Sequence, residues 1–99
     1  MEQLKTIKEL INQGDVTEAI RQLDEYLITD STDRDEAFYL LGNAYRKQGN
    51  WQLALNNYQY AIDLNPDSPA REAYRMAMPK SISDRDARIW LTENWHRLP

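Results

Sequence analysis

Apolar residues recur at helical spacing along the chain and fall into segments separated by short polar turns. The first stripe, at positions 4, 7, 10 and 11, ends at the polar turn of residues 12–15. A second stripe follows at 16, 19, 20, 23, 26 and 27, and the polar run 29–35 closes it. Spacings of three and four residues place the side chains on one face of an α-helix. The pattern therefore predicts two helices joined by a tight turn.

The same arrangement continues beyond residue 33. Helices are predicted over about 34–48 and 51–64, and Gly49 between them permits a left-handed helix end. Pro66 cannot continue the preceding helix, whereas Pro69 suits the first turn of a next one over 69–78, which Pro79 is predicted to stop. A further amphipathic helix is predicted over about 83–97.

An offset of 35 residues superimposes the two halves of this pattern. Gly14 falls on Gly49, Ala19 on Ala54, and Leu23 on Tyr58. Because the match runs through both helices and their turn, the sequence predicts two repeats, at about 1–33 and at 35–68.

The second repeat carries a specific motif. It has an aromatic residue, Leu, Gly and Tyr at fixed spacing, then Ala-x3-Tyr, then Pro: Phe38, Leu41, Gly42, Tyr45, Ala54, Tyr58 and Pro66. This pattern resembles the tetratricopeptide repeat, with Phe38 where Trp is usual. The resemblance implies an all-α fold of antiparallel helix pairs in a short right-handed superhelix. The capping helix and the extra C-terminal helix would complete a single domain over 1–99, similar to small stand-alone bacterial repeat proteins.

The family resemblance also implies a function, which is protein–protein interaction by an adaptor or assembly scaffold. In this family the first helix of each repeat lines a concave groove that receives a peptide or a helix. The residues expected there are Tyr39, Asn43, Arg46, Lys47, Lys8 and Asn12. Asn43 is expected to bond both the N–H and the C=O of an extended peptide, and the three cations to make the groove locally positive. The alternative is a merely solvated face.

One ligand class is not implied. The resemblance to the chaperone-tail binders, which clamp two carboxylates, is incomplete. Tyr39 stands where that clamp has a Lys, and Ala70 and Tyr74 stand where it has a later Lys and Arg.

Composition limits the other classes of function. The net charge is −4, and residues 1–69 hold twelve acidic against six basic side chains, so general nucleic-acid binding is not expected. There is no cysteine for a disulfide or a thiol nucleophile. No apolar run of signal-peptide or membrane-span length is present, so a cytoplasmic protein without a membrane role is expected.

Signatures of catalysis are missing from the sequence. His96 is the one histidine, and three glycines form no phosphate-binding loop. We therefore expect no enzymatic activity, no metal and no cofactor.

Trp90 and Trp95 lie five residues apart on the predicted last helix. They are interpreted as sealing the open end of the repeats, or as an interface with a second copy or with a foreign partner. The second of these gives an alternative function, a structural homo-oligomer in which the repeats and this helix form the subunit interface.

Overall fold

The computed structural model describes residues 2–29 and 32–81. In this part of the chain all regular structure is α-helical: α1 (Glu2–Gln13), α2 (Val16–Thr29), α3 (Arg34–Lys47), α4 (Trp51–Leu64) and α5 (Ala70–Ser81). Consecutive helices pack against each other, most extensively α3 against α4, and α1 and α5 also contact α3. The predicted all-α fold of helix pairs is confirmed.

The turn inside each pair has the same geometry. Gly49 has a φ of +81°, and Gly14 has a φ of +93°. The Gly49 N–H donates to the Arg46 carbonyl at 3.0 Å, and the Asn50 N–H donates to the Tyr45 carbonyl at 2.9 Å. An equivalent pair of bonds, at 3.1 and 2.9 Å, closes the turn at Gly14. These are the two bonds of a Schellman helix end, so the left-handed cap predicted at Gly49 is confirmed.

The apolar stripes predicted from the sequence form the core. One cluster joins the first three helices through Leu4, Ile7, Ile11, Ala19, Leu23, Tyr26, Ala37, Leu40, Leu41 and Ala44. A second cluster joins α4 to α5 through Ala54, Leu55, Tyr58, Ala61, Ala70 and Ala77. Three aromatic side chains of α3, those of Phe38, Tyr39 and Tyr45, pack against both clusters. The core is therefore continuous through α3.

Polar contacts fix where the second repeat begins and ends. The Asn65 Nδ2 group donates to the Asp35 carboxylate at 3.0 Å, which ties the end of α4 to the start of α3. The buried Ser68 hydroxyl accepts a bond from the Ala70 N–H at 3.1 Å and so caps the start of α5.

The end of α5 differs from the prediction. The helix was predicted to stop at Met78 because of Pro79, but it extends to Ser81. Proline in a last helical turn removes one backbone donor, while the residues after it can keep helical dihedrals. The helix predicted over about 83–97, with Trp90 and Trp95, lies outside the described residues.

Candidate peptide-binding groove

One face of α3 carries three of the residues predicted for the groove. Tyr39, Asn43 and Arg46 lie at i, i+4 and i+7, and all three are half-buried. Tyr58 of α4 lies against this face. Its hydroxyl donates to the Asn43 Oδ1 atom at 2.5 Å, and its ring centroid is 6.1 Å from that of Tyr39. The structure therefore brings Tyr39 and Asn43 into contact with Tyr58.

Gly42 explains why Tyr58 comes so close to α3. A Cβ atom added to Gly42 would collide with the Cδ1 and Cε1 atoms of the Tyr58 ring. With no side chain there, the ring packs closely against α3 at Gly42, and its hydroxyl reaches Asn43, the next residue. The buried signature of the repeat thus places a polar group at the groove.

Electrostatics keep the Tyr58 hydroxyl protonated. The pKa of Tyr58 is raised to about 12, chiefly by burial; the positive charge of Arg46 lowers it and Tyr39 raises it. Tyr58 is consequently a neutral hydrogen-bond donor at any physiological pH.

The bond from Tyr58 changes the contact expected of Asn43. We expected the amide to serve a peptide as both donor and acceptor. Its oxygen instead accepts the Tyr58 hydroxyl, and no hydrogen bond from its Nδ2 group to a described residue is present. In this conformation the amide offers a ligand its NH2 group, because the internal bond fixes which side faces outward.

Tyr58 is the member of this cluster that sequence reasoning missed. The motif marked it only as part of the buried signature, since it is separated from Asn43 by 15 residues. One signal was available: tyrosine at a core position carries a hydroxyl that needs a partner.

The remaining predicted residues lie apart from this cluster. Lys47 follows Arg46 at the end of α3, and Lys8 and Asn12 lie one turn apart on α1; all three side chains are exposed. No hydrogen bond or ion pair between described residues links them to Tyr39, Asn43 or Tyr58. Their place in the groove stays a prediction.

Residues 2–29 and 32–81 offer neither a metal site nor a membrane-spanning helix. No group of three or more His, Cys, Asp or Glu side chains in these ranges is arranged to hold a metal ion. Nor does any helix there combine the length and the apolar character needed to cross a membrane.

Comparison with known proteins identifies the class. Residues 35–68 match the family model of the tetratricopeptide repeat, which confirms the resemblance found in the second repeat. Proteins of this class have roles in protein interaction and assembly and are generally not catalytic.

Two particular proteins resemble the chain. The solution structure of Bacteroides fragilis protein BF1650 is 65% identical in sequence and superimposes with a TM-score of 0.75, covering 79% of each chain. Photosystem I assembly protein Ycf3 of Synechococcus sp. (strain CC9902) is 39% identical over 61 residues. That match covers 60% of this chain and 35% of Ycf3, so the chain spans about a third of its relative.

Proposed function

We propose that the protein binds an extended peptide segment of a partner protein over the groove face of α3, and that it acts as an adaptor or assembly factor without catalysis. The observation that supports this most is the Asn43 amide held by Tyr58 between Tyr39 and Arg46. The name of Ycf3, an assembly protein, supports the same general role.

The Asn43 NH2 group is suited to a backbone carbonyl. Because the bond from Tyr58 already holds the amide, a ligand would not have to immobilise it, and less conformational entropy is lost on binding. The half-buried ring of Tyr39 offers an apolar contact one turn away. Together these groups bind an extended backbone with one apolar side chain.

Arg46 gives the proposed ligand a preferred charge. The protein is acidic overall, with a net charge of −4, but Arg46 and Lys47 form a basic end of α3. Lys8 is a third cation assigned to the groove. An acidic side chain beside the bound carbonyl would meet Arg46, so the favoured peptide combines an apolar residue with Asp or Glu.

A displayed peptide library selected on the wild-type protein tests this proposal. The selected peptides are then titrated against Asn43→Ala/Arg46→Ala, which we expect to weaken binding by about tenfold or more. The matched control is Arg21→Ala/Gln59→Ala, which also removes one arginine and one side-chain amide but lies on α2 and α4. Equal loss in both variants, or no loss in the first, would contradict the proposed site.

A further inference from the structure

Three large apolar side chains form an exposed stripe along α4. Leu53 is 38% exposed, Tyr60 55% and Leu64 54%. They lie at i, i+7 and i+11 and thus on one face of the helix, which we call the α4 stripe. Tyr60 is two positions from Tyr58, about 200° around the helix axis. The α4 stripe therefore faces away from the groove, and both surfaces can be occupied at once.

The α4 stripe has a rigid base. The Tyr60 ring packs on Phe38 of α3, with ring centroids 5.3 Å apart. The Arg34 guanidinium carbon lies 5.7 Å from the Phe38 ring centroid, and Arg34 also donates to the Leu27 carbonyl at 2.9 Å. Rings held in this way lose little conformational freedom when a partner covers them.

No unpaired polar group interrupts the α4 stripe. Asn57 lies on the same face, between Leu53 and Tyr60, but it is buried and donates to the Leu53 carbonyl at 2.8 Å. A partner that covers the α4 stripe would therefore not bury an unsatisfied amide.

The equivalent face of the first repeat is polar. Thirty-five residues earlier, Glu18, Glu25 and Thr29 occupy the positions of Leu53, Tyr60 and Leu64. Arg21 bonds both carboxylates, at 2.6 and 3.2 Å. Its hydrogen bonds lower the pKa of Glu18 to about 2, and a bond from Gln22 also lowers it. The fold thus accepts a fully polar surface here, and it does not require the leucines of the second repeat.

The polar residues beside the α4 stripe indicate what covers it. They are Gln52, Asn56, Gln59 and Asp63, so Asp63 supplies the one charge of the helix. Gln59 donates to the Asp63 carboxylate at 2.9 Å and Gln52 donates to the Asn56 oxygen at 3.2 Å, so each amide keeps part of its donor and acceptor capacity for a partner. Amides both donate and accept, and a surface of amides is complementary to a copy of itself.

We propose that the α4 stripe is the contact between two copies of this chain, paired with their α4 helices antiparallel about a two-fold axis. Leu53 of one copy then meets Leu64 of the other, and the Tyr60 rings lie near the axis. Asp63 lies beside Gln52 of the other copy, so the two carboxylates do not meet.

The expected dimer is weak. A helix of 14 residues is about 21 Å long, and a contact of that length buries less than the roughly 1,600 Å² of a standard interface. We therefore expect a dissociation constant between about 10 µM and about 1 mM.

Sedimentation of the full chain across that concentration range tests the proposal. The wild type is expected to shift from monomer toward dimer. Leu53→Glu/Leu64→Thr installs the residues of the first repeat at exposed positions and is expected to raise the dissociation constant at least tenfold. The control is Met76→Gln on α5, where the side chain is 62% exposed, and it is expected to leave the dimer unchanged.

Cross-linking tests the pairing geometry independently. Since the chain has no cysteine, Asn56→Cys, beside the middle of the α4 stripe, provides a single thiol. It is expected to be joined to its copy by a short bismaleimide cross-linker, because the two residues 56 lie on the same side of the paired helices but too far apart for a disulfide, whereas Asp24→Cys, exposed on α2, is not. Equal cross-linking of the two variants contradicts the antiparallel arrangement.

Two further results would overturn the proposal. A wild type that stays monomeric across the range contradicts the pairing of two α4 stripes. A dimer that survives Leu53→Glu/Leu64→Thr but is lost in Trp90→Ala/Trp95→Ala means that the interface lies elsewhere.

Discussion

Gly42 links the packing of the repeat to its proposed binding site. It gives the Tyr58 ring its place against α3, and the ring carries the hydroxyl that holds Asn43. A substitution at Gly42 should therefore affect both stability and binding.

Gly42→Ala is expected to destabilise the protein by about 2 kcal/mol, because the added methyl group displaces a fully buried ring. Intrinsic helix propensity opposes this steric loss, since Ala is preferred over Gly in helices by about 1 kcal/mol. Urea unfolding measures the result. The control is the same substitution in a Tyr58→Leu background, where the loss should be smaller. An unchanged or increased free energy of unfolding in the wild-type background would rule out the steric account.

Tyr58 should also make the fold sensitive to alkali. Its pKa is about 12 in the folded protein, against 10.0 for the unperturbed group, chiefly because of burial. Between pH 10 and pH 12, Tyr58 loses its hydroxyl proton in the unfolded chain but keeps it in the folded protein. The stability that this difference affects is therefore fully present below pH 10 and is lost as the pH rises toward 12. The loss is about 2–3 kcal/mol. Denaturant titrations from pH 9 to pH 12 measure it.

Tyr58→Phe is the matched variant for the alkaline titration. This variant is expected to lose much less unfolding free energy than the wild type between pH 9 and pH 12. A smaller decline should remain, because burial also raises the pKa of Tyr45. Identical pH profiles for the wild type and Tyr58→Phe would show that Tyr58 is not the titrating group.

At the scale of helices and turns, the sequence predicted most of what the structure shows. The helices expected over 34–48 and 51–64 are found at Arg34–Lys47 and Trp51–Leu64, because glycine turns and helical apolar spacing are local signals. The bond between Asn43 and Tyr58 was not predicted, since it depends on how two helices pack. The end of α5 was predicted three residues early, because Pro79 was treated as a stop rather than as part of a last turn.

Gly49→Ala tests the turn between α3 and α4. Gly49 has a φ of +81°. This left-handed backbone conformation costs a residue with a Cβ atom about 1–2 kcal/mol. We expect a corresponding loss in unfolding free energy, and a smaller loss for Gly49→Asn, since Asn tolerates left-handed dihedrals. The neighbouring exposed residue Gln48, mutated to Ala, should have little effect. Equal stability of Gly49→Ala and wild type would mean that the turn relaxes to another conformation.

At the scale of the whole molecule, the two proposed surfaces lie on different sides of α4. The groove face centres on Tyr58 and a cationic arginine, and the α4 stripe on Tyr60 and leucines. A peptide and a second copy would therefore not compete, so peptide affinity should be the same for wild type and Leu53→Glu/Leu64→Thr.

The most direct test of the central claim is a nuclear magnetic resonance titration of the protein with a library-selected peptide. The Asn43 side-chain NH2 resonances and the backbone amides of residues 39–46 should shift most, because that NH2 group is the proposed contact to a peptide carbonyl. Unperturbed Asn43 NH2 resonances at saturation, with the largest shifts elsewhere on the protein, would contradict the groove as the binding site.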